Sequence, residues 1–374
     1  VLKNIKYVKK VVAQSTLDYR KNLNNIKPDY IIHGDDWKYG IQKKTRAQVL
    51  NCIKKWGGKL IEPKYTKNIS STLIKKEFLK LGTSPDSRKS KLKRLLDAKN
   101  VVRILESHSP ITGLIIENLS LNKKDKFFEF DGMWSSSLTD STLRGKPDNQ
   151  SVDYSTRLSG LNEILDVTTK PVIFDADNGG RIEHLPFIVK SLERIGVSAI
   201  VIEDKVGLKK NSLFKDQKNV KQDSINNFCN KINEAKKTKL SDDFLIIARI
   251  ESFILGKGIK DALKRAEAYS KAGADCILIH SKESSPNQIF EFSKKFRKSK
   301  YFKPLVAVPS SYSKTSETKL VSHGFKIIIY ANHLMRASYP AMINTAKKIL
   351  NYGRSFEAEK NLSSINEVIN LIKS

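Results

Sequence analysis

Eight short apolar runs rich in β-branched residues punctuate the chain between residues 101 and 330, and helical patterns fill most of the gaps between them. They read VVRIL at 101–105, FFEFDGM at 127–133, PVIF at 171–174, SAIVI at 198–202, FLIIA at 244–248, ADCILI at 274–279, PLVAV at 304–308 and FKIIIY at 325–330. Most lack polar alternation, which marks strands buried on both faces, and helical spacing between them, as at 185–195 and 262–272, implies parallel crossovers. Eight such units over about 250 residues match the size of a (β/α)8 barrel. A doubly wound open sheet is the alternative. The absence of a glycine-rich GxGxxG turn favours the barrel.

Polar residues follow almost every run: Glu106-Ser-His108, Trp134-Ser-Ser-Ser137, Asp175-Ala-Asp177-Asn-Gly-Gly180, Glu203-Asp-Lys205, Arg249-Ile-Glu251, His280-Ser-Lys282, Pro309-Ser-Ser311 and Asn332-His333. One polar strand end says little, because loops are polar anyway. A succession mixing acids, Arg, His and Ser points to an active site on the C-terminal rim of a barrel. Asp175 and Asp177, two apart, can converge with Glu203 on one hard cation, Mg²⁺ or Mn²⁺ rather than zinc, because the set is all oxygen. A plain turn with side-chain caps is the structural alternative. Arg249 suits bidentate capture of a phosphoryl or carboxylate group, or an ion pair with Glu251. His280 can donate to a phosphoryl oxygen, or be a satisfied core histidine. The Ser135–Ser137 amides can form an anion nest, or a capped turn.

The first 84 residues form a separate reading. An apolar strand at 30–33, helical spacing from 45 to 56 closed by Gly57-Gly58, and a second strand at 59–62 give strand–helix–strand order. The turn formers at 82–87 then mark a boundary near 84/85, ahead of a basic helix-like stretch at 89–98.

Composition narrows the class further. The net charge of +29 suits either nucleic-acid binding or a lysine-rich solvated surface; the lysines are scattered with no reading helix, so the second is expected. No run is long enough to span a membrane. Three distant cysteines, Cys52, Cys229 and Cys276, make neither a disulfide framework nor a zinc pattern, and a cytoplasmic location is expected. The chain opens on Val1, as a fragment or processed form would.

At the fourth strand end the stretch Glu203-Asp-Lys-x5-Asn211-Ser212 resembles the EDKxxxxxNS signature of the phosphoenolpyruvate mutase family, within the isocitrate lyase superfamily. The resemblance spans about residues 89–350. It includes Trp134-Ser-Ser-Ser-Leu138, Gly145-Lys-Pro-Asp148, Asp175-x-Asp177, Ala248-Arg-Ile-Glu251, His280-Ser-Lys282 and Tyr330-Ala-Asn-His333. It implies interconversion of phosphoenolpyruvate and phosphonopyruvate with Mg²⁺ held by Asp175, and by Asp177 and Glu203 directly or through water. Arg249 and His280 would hold the migrating phosphoryl group. Trp134, the amides of Ser136 and Ser137, and Leu213 would fix the substrate, and Asp148 would line the pocket. Residues 205–213 would be a gating loop in which Lys209, Asn211 and Ser212 close on the substrate. It further implies a homo-oligomer, a dimer or a tetramer, with no nucleic-acid partner.

Two departures stand out. His108-Ser-Pro110 replaces the family's His-Asn-Gly, and Asn178-Gly-Gly180 replaces its Thr-Gly-Tyr-Gly after the acidic pair. Phosphonopyruvate hydrolase, on the same barrel, is the alternative activity. The superfamily's carbon–carbon lyases usually place a catalytic cysteine in this loop, which has none here.

The N-terminal stretches Lys27-Pro-Asp-Tyr-Ile-Ile-His-Gly-Asp-Asp-Trp37 and Tyr65-Thr-Lys-Asn-Ile-Ser-Ser-Thr72 resemble the second half of a cytidylyltransferase, a Rossmann-like fold. That resemblance implies nucleotide contacts at Gly34, Asp35, Asp36 and Trp37, and at Ser70, Ser71 and Thr72. The family's HxGH phosphate motif is expected before residue 1. A bifunctional full-length protein that also uses CTP is one implication; a vestigial domain is the other.

Overall fold

The computed structural model describes residues 7–14, 16, 18–38, 42–64, 83–123, 126–214 and 216–372. The chain divides into two compact units, Val1–Glu77 and Phe78–Ser374. In the first, strands β1 (Tyr30–Ile32) and β2 (Lys59–Ile61) pair in parallel, with Tyr30 opposite Lys59. The helix Lys43–Ile53 runs between them, then tightens to a 3-10 turn at Lys54–Trp56 that Gly57 closes at φ 78°. A positive φ is cheap only for glycine, so the helix ends where the sequence places that residue. Trp37, Val49 and Ile53 form this unit's small core.

The second unit is a closed parallel barrel. Its strands, with the short pieces between them, are β3 (Val102–Glu106), β4 (Ser120–Lys123), β5 (Lys126–Glu129), β6 (Gly132–Ser135), β7 (Val172–Asp175), β8 (Ala199–Glu203), β9 (Lys205–Val206), β10 (Lys221–Gln222), β11 (Leu245–Ile250), β12 (Cys276–Ile279), β13 (Leu305–Ala307) and β14 (Phe325–Tyr330). The barrel order is β3-β6-β7-β8-β11-β12-β13-β14, with β14 closing back on β3. The open-sheet alternative is thereby excluded.

Alternation along each strand builds two layers. Ile104, Trp134, Ile173, Val201, Ile247, Leu278 and Ile329 fill the interior, whereas Phe174, Ile200, Ile202, Ile246 and Ile328 pack outward with the helices. Leu92, Leu95 and Leu96 of the helix Pro85–Ala98 join the interior layer beside the first residues of the strands, Val102, Ala199 and Leu245. That helix starts at Pro85 rather than 89, because Ser84 accepts from the Ser87 amide at 3.2 Å and Pro85 is preset for a first turn.

One strand differs from expectation. The run at 127–133 is not a barrel strand: its first part pairs antiparallel with β4 as a hairpin, and the barrel strand is β6, starting at Gly132. Asp131 breaks the run. Its amide donates to the Arg103 carbonyl at 2.7 Å, and its carboxylate accepts from the Arg103 amide at 2.8 Å. Gly132 then lets the chain pass the Pro171 carbonyl, which a Cβ would meet at 2.7 Å. No helix among the described residues is long and apolar enough to cross a membrane.

Candidate active site

The C-terminal rim of the barrel brings the predicted residues together. A cavity of about 60 Å³ is lined by Trp134 on β6, Ser136 and Ser137 after it, Asp148, Asp175 at the end of β7, Lys209, Asn211, Ser212 and Leu213, Arg249 on β11 and His280 after β12. Outside it opens a basin of about 1140 Å³ whose wall carries Lys146, Lys210, Lys218 and Arg336. Such a cationic approach favours anionic ligands.

On one side of the cavity the charges are packed and buried. Arg249 stands in register with Glu203 across the β8–β11 pair, which puts its guanidinium 3.3 Å from Glu203 Oε2. Arg249 Nε donates to Glu251 Oε1 at 2.7 Å, and Nη2 donates to the Ser212 hydroxyl at 2.9 Å. Arg249 therefore makes the expected ion pair with Glu251 and also lines the cavity. His280 Nδ1 lies 3.0 Å from both Arg249 Nη2 and Glu251 Oε1. Burial, and after it the charge of Arg249, holds this imidazole below its ordinary pKa, so it is neutral. A neutral ring makes one of these two bonds at a time: with the proton on Nδ1 it donates to Glu251, and with Nδ1 accepting from Arg249 the proton sits on Nε2, free to donate toward a ligand.

Asp177, just beyond β7, meets a residue of the loop between β9 and β10. The Lys209 ammonium contacts Asp177 and the Ser137 hydroxyl, and reaches Asp148 Oδ1 at 2.8 Å. Asn211 Nδ2 donates to Asp148 Oδ2, also at 2.8 Å. Ser137 Oγ donates to Asp175 Oδ2 at 3.0 Å, and Asp175 Oδ1 accepts from the Asp177 amide at 3.2 Å. That last bond makes the turn that was the structural alternative, with Asp177 in the left-handed region at φ 52°.

Asp177 and Glu203 do not line the cavity: the first lies against Lys209, the second against Arg249 and Lys205. Both are buried, at 4% and 1% exposure. Burial pushes the Asp177 carboxyl up, and carries Glu203 up to about 7 against the pull of Arg249 and Lys205. For Asp175 burial acts in the same sense, but Lys209, Arg249 and Arg157 outweigh it and hold the group below its usual value.

This donor chemistry suits a hard divalent cation. Neither oxygen of Glu203 accepts a hydrogen bond, although both are fully buried. Arg249 and Lys205 balance its charge at 3.3 and 3.4 Å, and its acceptor sites are left without a hydrogen bond, open to an ion or a water. Among the described residues no three His, Cys, Asp or Glu side chains are drawn into a ligand cluster, because the Lys209 ammonium is seated between Asp148 and Asp177. A small cation that keeps several waters needs only one or two direct carboxylates, so the residues fit it.

Three supports stand behind the cavity; of these only Glu251 was expected, as an ion-pair partner of Arg249. Arg157, 2% exposed, donates to Asp140 Oδ2 at 2.8 Å and to the Asp175 carbonyl at 2.6 Å, and lies 3.8 Å from Asp177 Oδ2. It belongs to the helix Tyr154–Asp166, where a lone cation reads as surface. Glu251 ties Arg249, His280 and Ser212 together and is fully buried. Asp204 joins the base of the lid to β11: its carboxylate accepts from the Glu251 amide, Gln222 Nε2 and the Tyr269 hydroxyl at 2.8–2.9 Å. Only its place inside Glu-Asp-Lys hinted at it.

In the first unit Trp37 is 1% exposed, stacks on His33 at 3.8 Å, and donates through Nε1 to Glu62 Oε1 at 2.8 Å. It is this unit's core. Gly34 follows β1, and Asp35 and Asp36 open the 3-10 turn Asp35–Lys38. Ser70, Ser71 and Thr72 lie outside the described residues.

Known proteins resemble this chain in sequence and in fold. The family profile described as phosphoenolpyruvate phosphomutase matches residues 92–350. A phosphoenolpyruvate phosphomutase of Tetrahymena pyriformis is 33% identical over 294 residues, 78% of this chain and 94% of the relative. A phosphonopyruvate hydrolase of Variovorax sp. (strain Pal2) is also 33% identical, over 284 residues, 75% of this chain and 93% of the relative. The crystal structure of a phosphonopyruvate hydrolase in complex with oxalate and Mg²⁺ superposes with a TM-score of 0.67 at 31% identity, covering 76% of this chain and 94% of that one.

Proposed function

The chain belongs to the phosphoenolpyruvate phosphomutase family, and from that premise we propose that it is a mutase that interconverts phosphoenolpyruvate and phosphonopyruvate with Mg²⁺. The reaction is an isomerisation. The P–O bond to the enol oxygen breaks, a P–C bond forms at the methylene carbon, and the enolate becomes a ketone with no net proton transfer. Mg²⁺, when bound, supplies a Lewis acid for the enolate and carboxylate oxygens; Asp175 would hold it, with Asp177 and Glu203 reaching it directly or through water.

Arg249 and a neutral His280 bearing its proton on Nε2 would hold the phosphoryl oxygens through the transfer, as donors fixed before the reaction starts. Trp134, Ser136, Ser137 and Leu213 would wall the three-carbon part. Asp148 would anchor the lid through Lys209 and Asn211. A loosely bound phosphoryl group in transit reacts with any water present, so exclusion of water is part of the chemistry.

The observation that carries the mutase reading is the closed lid: Lys209 and Asn211 both bond Asp148 over a cavity of about 60 Å³. The second reading, phosphonopyruvate hydrolase, rests on a relative of equal identity. ³¹P NMR of the protein with phosphonopyruvate and Mg²⁺ separates them. Phosphoenolpyruvate appears if the mutase reading is right; inorganic phosphate as sole product favours the hydrolase.

For the first unit we propose a nucleotide-binding fold of cytidylyltransferase type, supported by the parallel β1–helix–β2 unit and by the two matching stretches. A CTP-dependent second activity follows from it, and calorimetric titration of the protein with CTP tests it; absence of binding would remove it. Self-association is proposed on the helix His333–Tyr352, which buries no residue and exposes Tyr339, Met342 and Leu350. Sedimentation velocity reads it, a monomer being the contrary result.

A further inference from the structure

At the end of β14 the chain enters the helix His333–Tyr352 through Asn332, its N-cap residue. An asparagine there ordinarily turns its side chain back to accept from the second or third amide of the helix. This one does not cap. Those two amides, Leu334 and Met335, donate instead to Glu106 Oε2 at 3.1 and 3.3 Å. Glu106 ends β3, is fully buried, and is steadied on its other oxygen by His108. A carboxylate from the neighbouring strand has taken over the capping duty, and the Asn332 carboxamide is released from it.

The released side chain faces the active site. Asn332 is 7% exposed, lines the closed cavity together with Trp134 and Ser310, and also lines the outer basin. Its Oδ1 is buried without a hydrogen-bond partner, and so is the Trp134 indole N–H on the same cavity. An unmade hydrogen bond in such a place costs about 1–3 kcal/mol. A fold that carries that cost, while a different residue caps the helix, holds the group ready for something that enters the cavity.

We propose that Asn332 is a further substrate-binding residue, whose amide N–H donates to an anionic oxygen of the phosphorylated or phosphonylated three-carbon acid. The inference rests on the functional reading above. Rotation of the carboxamide about its last bond presents Nδ2 to the ligand, and an amide adds no charge beside a group that must move.

Two variants divide this role from that of an ordinary cap. Asn332→Ala removes both the donor and any capping oxygen. Asn332→Asp keeps a capping oxygen but replaces the donor with an anion. Unliganded Tm and the Tm shift on adding phosphonopyruvate with Mg²⁺ are measured for both, with KM from turnover. The expected result for Asn332→Ala is an unliganded Tm equal to wild type or higher, with affinity for phosphonopyruvate weaker by about tenfold, the scale of a hydrogen bond to a charged group. Asn332→Asp is expected to bind more weakly still, since like charges meet. A fall in unliganded Tm for Asn332→Ala, rescued in Asn332→Asp, with ligand affinity unchanged in both, would overturn the proposal and restore the plain cap. Failure of the functional reading shows differently, in the wild type itself, as no ligand-induced shift and no turnover.

Discussion

On the floor of the cavity Arg249, Glu251 and His280 are held by one another and by strands of the barrel, Glu251 at 0% and His280 at 6% exposure. The lid above them is held otherwise. It leaves the barrel through two-residue strands, β9 and β10, leaves Leu208 73% and Phe214 59% exposed, and meets the rim through a few polar bonds at Asp148, Ser137, Asp177 and Glu251. Charge pairs seated on packed barrel strands fix the first region; hydrogen bonds and charge pairs with little apolar packing beneath them fix the second. Packed regions open only with the whole domain, whereas segments with few apolar contacts open locally at small cost. A site of this kind has a permanent charge frame and a removable cover, which suits a reaction that must admit an anion and then exclude water.

The sharpest way to break that contrast is on the floor. Arg249→Ala is expected to lower turnover by about a thousandfold, the scale of removing a preorganised donor. It should also lower stability by about 3 kcal/mol, because Glu203 and Glu251 lose one of their two cations and keep only Lys205. Steady-state kinetics and urea melts read both, and a variant that stays active would remove Arg249 from the charge frame. Asp175→Ala is expected to abolish turnover together with its dependence on added Mg²⁺, followed by activity across a metal titration; unchanged kinetics would take Asp175 out of the site.

The lid should give smaller and different effects. Asn211→Ala is expected to reduce turnover by about ten- to a hundredfold, as misplacement of a positioning group does, with an unchanged melt of the barrel. Wild-type turnover there would refute its part in closure. Asp148→Asn removes one of the two charges that Lys209 faces and is expected to speed proteolytic cleavage within 207–214 several-fold while Tm hardly moves; equal cleavage rates would mean that the lid is not anchored at Asp148. The smallest effect belongs to Leu208→Ser at an exposed lid position, expected within about 0.5 kcal/mol of wild type in stability. A large loss there would show that the lid packs apolar surface after all.

Legibility in the sequence followed the same division. Floor and frame were readable because parallel strands buried on both faces give dense apolar runs, and the observed strands fall mostly within a residue or two of them. The run at 127–133 misled because Phe127, Phe128 and Phe130 look like barrel wall, whereas Phe127 is 57% exposed on a hairpin. Residues whose role arises through another element were invisible: Arg157 acts from a helix on β7, and Asn332 is interpretable only once Glu106 is seen capping its helix. The seat of the Lys209 ammonium among the carboxylates was likewise unreadable, since spacing alone cannot rank a lysine against a metal for the same oxygens.

The central claim is that the lid keeps water from the phosphoryl group, and the product ratio measures it most directly. In ³¹P NMR with phosphonopyruvate and Mg²⁺, the wild type should yield phosphoenolpyruvate essentially free of inorganic phosphate, and Asn211→Ala should divert part of its slower turnover to phosphate. Phosphate as the main product of the wild type, or an Asn211→Ala variant whose ratio is unchanged, would contradict the account.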